Sequence, residues 1–307
     1  MRFIRAAVAV ALVAAAATSC SNDRGYGDPT NGRPNAPQSW RRLPDAPLTP
    51  RDHAVVVGVD ERMLVVGGWE FLCPPMADCS TPGAPLLDDG AVYDRTADSW
   101  RTMAPPPFGV RRQDYATAAL DGSAYLLTGC ADGPMCDAQP RLLSYDPAGD
   151  RWTDHGPVPG PEHDRHLTTI GRTLLVYSGK GPVLNGHFID SAGWILDPGT
   201  WTWTVLPAHD GEHQDLSGAL DRERATYDIP NSVGQMASAM RLFVYDSVTE
   251  TLVAIPAPPG REDVYDDSST ALGRDLFVFG GQRWTDDGST GNGELVGDAW
   301  LWAAPIH

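Results

Sequence analysis

One motif recurs along this chain about every fifty residues: an apolar strand ending in glycine, a loop, a Tyr-Asp step and, six residues later, a tryptophan. It reads Leu64-Val65-Val66-Gly67-Gly68 with Val92-Tyr93-Asp94 and Trp100, then Leu126-Leu127-Thr128-Gly129 with Ser144-Tyr145-Asp146 and Trp152. It returns as Leu175-Val176-Tyr177-Ser178-Gly179 with Ile195-Leu196-Asp197 and Trp203. A fourth copy keeps only its second half, Val244-Tyr245-Asp246 with Leu252 at the tryptophan position. Marker positions lie 60, 52, 51 and 49 residues apart from Trp40 through Trp100, Trp152 and Trp203 to Leu252. A fixed period of this length means one supersecondary unit stacked on copies of itself, because no single unit can bury its own apolar face.

Within a unit the pattern suits four short strands, expected in the first copy at 54–57, 63–66, 91–93 and 99–103, with Gly, Asp and Pro marking the turns. The glycine pair lets the backbone turn where a side chain would clash, and the tryptophan fills the space between adjacent sheets. On these residues the chain resembles the kelch-repeat β-propellers over 39–307, and the resemblance implies an all-β fold of four-stranded blades. The last copy supplies Leu276-Phe277-Val278-Phe279-Gly280-Gly281 and Asp298-Ala299-Trp300-Leu301-Trp302 but no fourth strand. Ser39-Trp40-Arg41-Arg42-Leu43-Pro44, which has the form of Ser99-Trp100-Arg101-Thr102-Met103-Ala104, has no strands before it. The expectation is five blades, with the N-terminal strand completing the C-terminal blade and closing the ring. Between Leu206 and Arg241 there is no glycine pair and no clean strand doublet, so the fourth blade carries either degenerate inner strands or an insertion.

Ahead of the propeller, residues 1–19 read as a signal peptide: Met1-Arg2-Phe3-Ile4-Arg5 is basic, Ala6 to Ala17 is an apolar run of twelve, and Ala17-Thr18-Ser19-Cys20 follows. That run is short of the roughly 20 apolar residues of a membrane span. The segment before Cys20 resembles a bacterial lipoprotein box, which implies a lipidated Cys20 and an extracytoplasmic protein anchored to the membrane. Ordinary cleavage near Ala17 and soluble secretion is the alternative. Residues 20–38, rich in Asn, Pro, Gly and Asp, suit a lipidated N-terminus and flexible tether.

Of the five cysteines, Cys20 is the odd one. Cys73 with Cys79 and Cys130 with Cys136 share one C-x5-C spacing just after the glycine motif of successive repeats. Local disulfides Cys73–Cys79 and Cys130–Cys136 are expected in an oxidising compartment. A zinc site lacks its usual spacing, and pairing between adjacent blades stays open. The formal charge is −17, becoming −19 once the segment with Arg2 and Arg5 is removed. With no basic stripe, nucleic acid is excluded as a partner and the membrane is approached only through the lipid.

Chemistry-bearing residues gather where the inner strands start. Aligning back from the glycine motifs sets Arg51-Asp52-His53 against Arg112-Gln113-Asp114, Asp164-Arg165-His166 and Tyr265-Asp266-Asp267. Arg51, His53, Arg112, Asp114, Arg165, His166, Tyr265 and Asp267 would converge at one channel mouth. They form either a polar pocket for a sugar-like ligand or a collar bonding neighbouring loops. The clusters Glu162–His166 and His209–His213 match no metal motif, and 286–294 lacks the EF-hand register, so no metal or cofactor is expected. No nucleophile constellation is present. The long loops 69–89, with Trp69 and Phe71, and 282–295, with Trp284, are expected to offer exposed aromatics for recognition. The sequence thus points to a surface-tethered monomeric propeller that binds a carbohydrate or protein. The alternative is a metal-independent, mutarotase- or epimerase-like enzyme on a sugar or sugar acid.

Overall fold

The computed structural model describes residues 40–74, 86–107, 109–110, 115–128, 140–159, 165–178, 183–184, 187–188, 193–206, 226–229, 241–246, 251–265, 267–273, 275–284 and 292–303. All their regular structure is strand. The chain enters with β1 (Trp40–Arg42) and builds the first sheet from β2 (Val55–Val59), β3 (Arg62–Val66), β4 (Gly90–Asp94) and β5 (Ser99–Thr102). The second comprises β6 (Tyr115–Leu120), β7 (Ser123–Thr128), β8 (Arg141–Asp146) and β9 (Arg151–Pro157). The third holds β10 (Arg165–Ile170) and β11 (Thr173–Ser178), the small hairpin β12 (Val183–Leu184) and β13 (His187–Phe188), then β14 (Gly193–Asp197) and β15 (Thr202–Leu206). After β16 (Thr226–Ile229), β17 (Arg241–Asp246) and β18 (Thr251–Ile255) come β19 (Val264–Tyr265), β20 (Ser268–Leu272), β21 (Asp275–Phe279), β22 (Gln282–Trp284), β23 (Gly293–Leu295) and β24 (Ala299–Trp302).

Sheets one to three are four-stranded antiparallel meanders in the orders β2-β3-β4-β5, β6-β7-β8-β9 and β10-β11-β14-β15. The last sheet runs β1-β24-β21-β20, with Trp40 opposite Trp302 and Arg42 opposite Trp300. The N-terminal strand therefore completes the C-terminal sheet, as the sequence led us to expect. The fourth sheet shows three strands among the described residues, β16-β17-β18. Its β16 falls inside the stretch where the sequence offered no clean strand.

The apolar strands are buried on both faces, which is why they read as unbroken hydrophobic runs. Along β2 and β3 the side chains alternate between two neighbours. Val55, Val57, Val59, Leu64 and Val66 pack with Ala124, Leu126, Leu143 and Tyr145 of the second sheet. Val56, Met63 and Val65 pack with Leu272, Phe277, Phe279 and Leu301 of the last. Leu127 and Leu142 meet Leu167, Leu174 and Val176 of the third sheet, and Ile255 of the fourth meets Leu276, Val278 and Trp302.

The aspartate of each repeat nucleates the turn into the outer strand. Asp94 Oδ1 accepts from the Thr96 and Ala97 amides, Asp146 Oδ1 from Ala148 and Asp197 Oδ1 from Gly199. The tryptophan that follows packs back onto the preceding sheet and donates its indole N–H to a carbonyl there. Trp40 donates to Pro256 O at 2.7 Å, Trp100 to Pro44 O at 2.8 Å and Trp152 to Ala104 O at 2.8 Å. Each acceptor lies four residues after the previous repeat's marker, including Leu252 of the irregular fourth copy. We expect Trp40→Ala to remove both the packing and this bond, destabilising the chain by about 3 kcal/mol. Chemical unfolding would check it, and an unchanged midpoint would show that β1 carries no load.

Candidate functional site at the glycine-motif face

The glycine pairs let the next sheet's entry segment approach the backbone closely. Gly67 and Gly68 have φ of +66° and +95°, and Gly280 and Gly281 have +68° and +105°. A Cβ on Gly280 would stand 2.5 Å from Arg51 O, and one on Gly67 2.0 Å from Val110 O. Matching bonds run from Gly281 N to Arg51 O (3.0 Å) and from Gly68 N to Val110 O (2.6 Å). Val110, rather than Arg112, therefore stands where Arg51 stands. Arg112 and Asp114 lie outside the described residues.

Arg51 is fully buried, and all five of its N–H groups are donated within the chain. Nε gives to Thr49 O (3.0 Å), Nη1 to Gly67 O (3.1 Å) and Asp89 Oδ1 (2.5 Å), and Nη2 to Thr49 Oγ1 (2.9 Å) and Asp89 Oδ2 (3.0 Å). This bidentate clamp fixes the first glycine turn to the strand entry behind it. The last sheet repeats the device with Arg261, which bonds Asp298, Gly280 O (2.5 Å) and Asp267 Oδ2 (3.4 Å). Asp267, a sequence candidate, is thus a partner in a clamp. Tyr265 lies opposite Gln282, as Asp52 lies opposite Trp69, so the alignment drawn from sequence is displaced by one residue here.

Between the two clamps sits a buried polar cluster. The Asp52 side chain is fully covered, and its Oδ2 accepts from Gln282 Nε2 (2.5 Å) and Trp69 Nε1 (3.2 Å), with His53 Nδ1 at 2.6 Å. His53 takes a left-handed φ of +53° and meets the Trp69 ring edge-on at 5.4 Å, while Phe71 packs against Trp69 at 5.5 Å. Gln282 Oε1 in turn accepts the Cys73 amide at 2.7 Å. One carboxamide therefore ties the loop of the first sheet to the hairpin of the last. Trp69 and Trp284, expected to be exposed, are buried at the loop bases, because each sits where its loop leaves a packed strand. Arg165 and His166 begin β10, paired in register with Ser178 and Tyr177. Cys79, Cys130 and Cys136, the residues 160–164 and 207–225 that hold most of the histidine clusters, and residues 1–39 with Cys20 lie outside the described residues.

A second network escaped the sequence reading. Arg41, next to Trp40, bonds Asp98 Oδ1 (2.7 Å) and Tyr93 OH (2.8 Å), and Tyr93 donates to Asp98 (2.5 Å). Arg101, next to Trp100, bonds Tyr145 OH (3.4 Å) and Asp150 Oδ1 (3.2 Å), and Tyr145 donates to Asp150. An arginine after the marker tryptophan and an aspartate two residues before it were the available signal. The Tyr145 bond holds the Asp150 carboxyl below its ordinary value, while burial and that same bond push the Tyr145 phenol up to about 12.

No known family profile matches the chain. The repeated four-stranded antiparallel sheets define a propeller-like class of all-β protein. A stretch of 179 residues, 55% of the chain, is 30% identical to the Kelch repeat and BTB domain-containing protein 12 of Homo sapiens. The match covers 28% of that relative's length. Sheets and similarity together fit a kelch propeller.

Two outcomes test the site. Arg51→Ala should cost about 3 kcal/mol, the low end for a broken buried pair because half of Asp89 is exposed, and Arg51→Lys should not restore it, since an ammonium lacks the fork. Urea unfolding of both variants decides, and wild-type stability in either would show the clamp to be idle. For the tyrosine network, Asp150 binds fewer protons folded than unfolded, so its contribution is present above pH 3.8 and lost as pH falls below it. Tyr145 is raised, so its contribution holds below pH 10 and disappears as pH climbs toward 12. Phenolate absorbance should show late-ionising tyrosines in the wild type, Tyr93 and Tyr125 being raised as well, and Tyr145→Phe should reduce that late amplitude by one tyrosine.

Proposed function

We propose that the chain is a five-bladed kelch propeller, closed at the β1–β24 pair, that serves as a protein-interaction module. The observation that carries this reading is the Gln282 bridge, which joins the bases of two long loops, one from the first sheet and one from the last, into a single preformed platform. Preorganised loop bases lower the ordering cost of binding. The reading favours a protein over a small carbohydrate. A shallow hollow of about 400 Å³ lies beside the β22–β23 hairpin, rimmed by Arg42, Asp45, Arg283 and Glu294. Those charges are already paired, Arg42 with Asp45 and Arg283 with Glu294, both at 2.6 Å. His53 and Asp52 are covered rather than open to a substrate.

The proposal extends to placement. Residues 1–19 would direct export, Cys20 would carry a lipid, and 21–38 would tether the propeller to the outer surface of a membrane. Among the described residues no helix is long and apolar enough to cross a membrane. Disulfides Cys73–Cys79 and Cys130–Cys136 would pin the loops.

The test is photo-crosslinking in the cells the protein comes from, with a crosslinking residue at Glu70 on the platform or at Asp121 in a β-hairpin turn of the second sheet. Discrete protein adducts from position 70 alone are expected. No adducts, or the same adducts from both positions, would overturn the platform as the recognition face.

A further inference from the structure

Three residues break the repeat pattern in one place and meet one another there. Ser144 stands before Tyr145 where other copies carry Val92, Ile195 and Val244, and His155 stands three residues after its marker where they carry Leu43, Met103, Leu206 and Ile255. Trp201, two residues before its marker, fills the turn position of Asp98 and Asp150. Ser144 Oγ lies 2.7 Å from His155 Nε2, and the imidazole stacks on the Trp201 indole at 3.7 Å between centroids and 21° between planes. Residues that depart from a local pattern together and end in contact mark a place with a task of its own.

That contact stands at the boundary between the second and third sheets, where the clasp of the preceding boundaries is gone. Arg41 with Tyr93 and Asp98, and Arg101 with Tyr145 and Asp150, become Thr153, Leu196 and Trp201. The stack takes the clasp's place and holds a strained turn. Trp201 has φ of +52°, a region that aspartate tolerates and a bulky ring does not. It is 43% exposed, and among the described residues His155 is the ring it packs on.

We propose that this stack is a pH-sensitive joint: protonation of His155 parts it from Trp201 and frees the turn that Trp201 holds against the second sheet. His155 is half-buried in β9, with Asp154 beside it, Tyr125 of β7 at 6.4 Å and Ser144 of β8 in bonding distance, while the turn ahead of β15 brings the uncharged indole. Asp154 favours a charged ring but is engaged by Arg141 at 2.6 Å, and burial prevails, holding the imidazole below its ordinary 6.5. An indole face also attracts a cation, and the joint opens because water at the exposed rim solvates the imidazolium better than one ring does. The folded chain favours the neutral ring, so the joint's contribution is fully present above pH 6.5 and is lost as pH falls below it. The clasped boundaries hold over that range, their Asp98 and Asp150 carboxyls lying below 3.8. The joint stands independently of the platform.

The test is fluorine NMR on the full chain labelled with 5-fluorotryptophan, the Trp201 signal being the one that Trp201→Phe removes. Between about pH 7.5 and about pH 5 that signal should move, its solvent isotope shift growing as the ring is released, with constant circular dichroism. His155→Met, which restores an apolar residue of the repeat, should abolish the change. A Trp201 signal that stays still, moves without added solvent exposure, moves equally in His155→Met, or moves only together with every other tryptophan overturns the proposal. Should His155→Met misfold, the His155 imidazole is titrated directly in the wild type by carbon NMR. A midpoint shared with Trp201 supports the joint, and separate midpoints overturn it.

Discussion

The structure depends on the outer-strand tryptophans Trp40, Trp100 and Trp152 each reaching back to the sheet before it. A four-stranded meander of this size cannot bury both faces by itself, and the indole supplies at one stroke an apolar wedge and a directed N–H. The acceptor carbonyl keeps the same offset from the preceding marker at Trp40, Trp100 and Trp152. That constancy sets the spacing of the sheets, and the constant spacing lets one face of β2 serve the last sheet while the other serves the second. Leu252, at the marker position of the fourth copy, has no side-chain N–H to give.

Charge does a different job. The sheets meet through apolar side chains, but the turns above them expose carbonyls that packing alone would leave without donors. Arg51 and Arg261 answer this with a guanidinium that bonds a glycine carbonyl and an aspartate together. Arginine suits the position because its planar fork addresses two acceptors at once. Around the rim, Arg41 and Arg101 reach forward to the next sheet while the tryptophans reach back, so each of those boundaries is fastened in both directions.

The sheets were legible in sequence because markers such as Tyr93, Asp94 and Trp100 perform the same physical task as Tyr145, Asp146 and Trp152 in the next copy, and a strand completing the last sheet was legible because Trp40 had no sheet of its own. The site was legible only in part. Arg261 stands 19 residues before its glycine and Arg51 stands 16 before its own, so an alignment by distance misses the one equivalent to the other. The same slip set Arg112 where the chain places Val110. Gln282 gave no signal, since what matters is that its amide finds an acceptor in Asp52 and a donor in the Cys73 amide, both of the first sheet. Trp69 and Trp284 show the reverse error: aromatic side chains in a long loop pass for a contact surface until the strand ends they cover are known.

Because Trp40 pairs with Trp302, the strand made among the first is completed among the last. Some 260 residues separate the partners, and local contacts cannot bring them together early. On a ribosome, β1 emerges and must wait, unpaired, through the synthesis of every other sheet. Its two arginines, Arg41 and Arg42, keep that waiting strand soluble and disinclined to pair with passing edges. They do so until β24 arrives, so a strand that finally joins the two ends of the fold spends its first moments as its least committed segment.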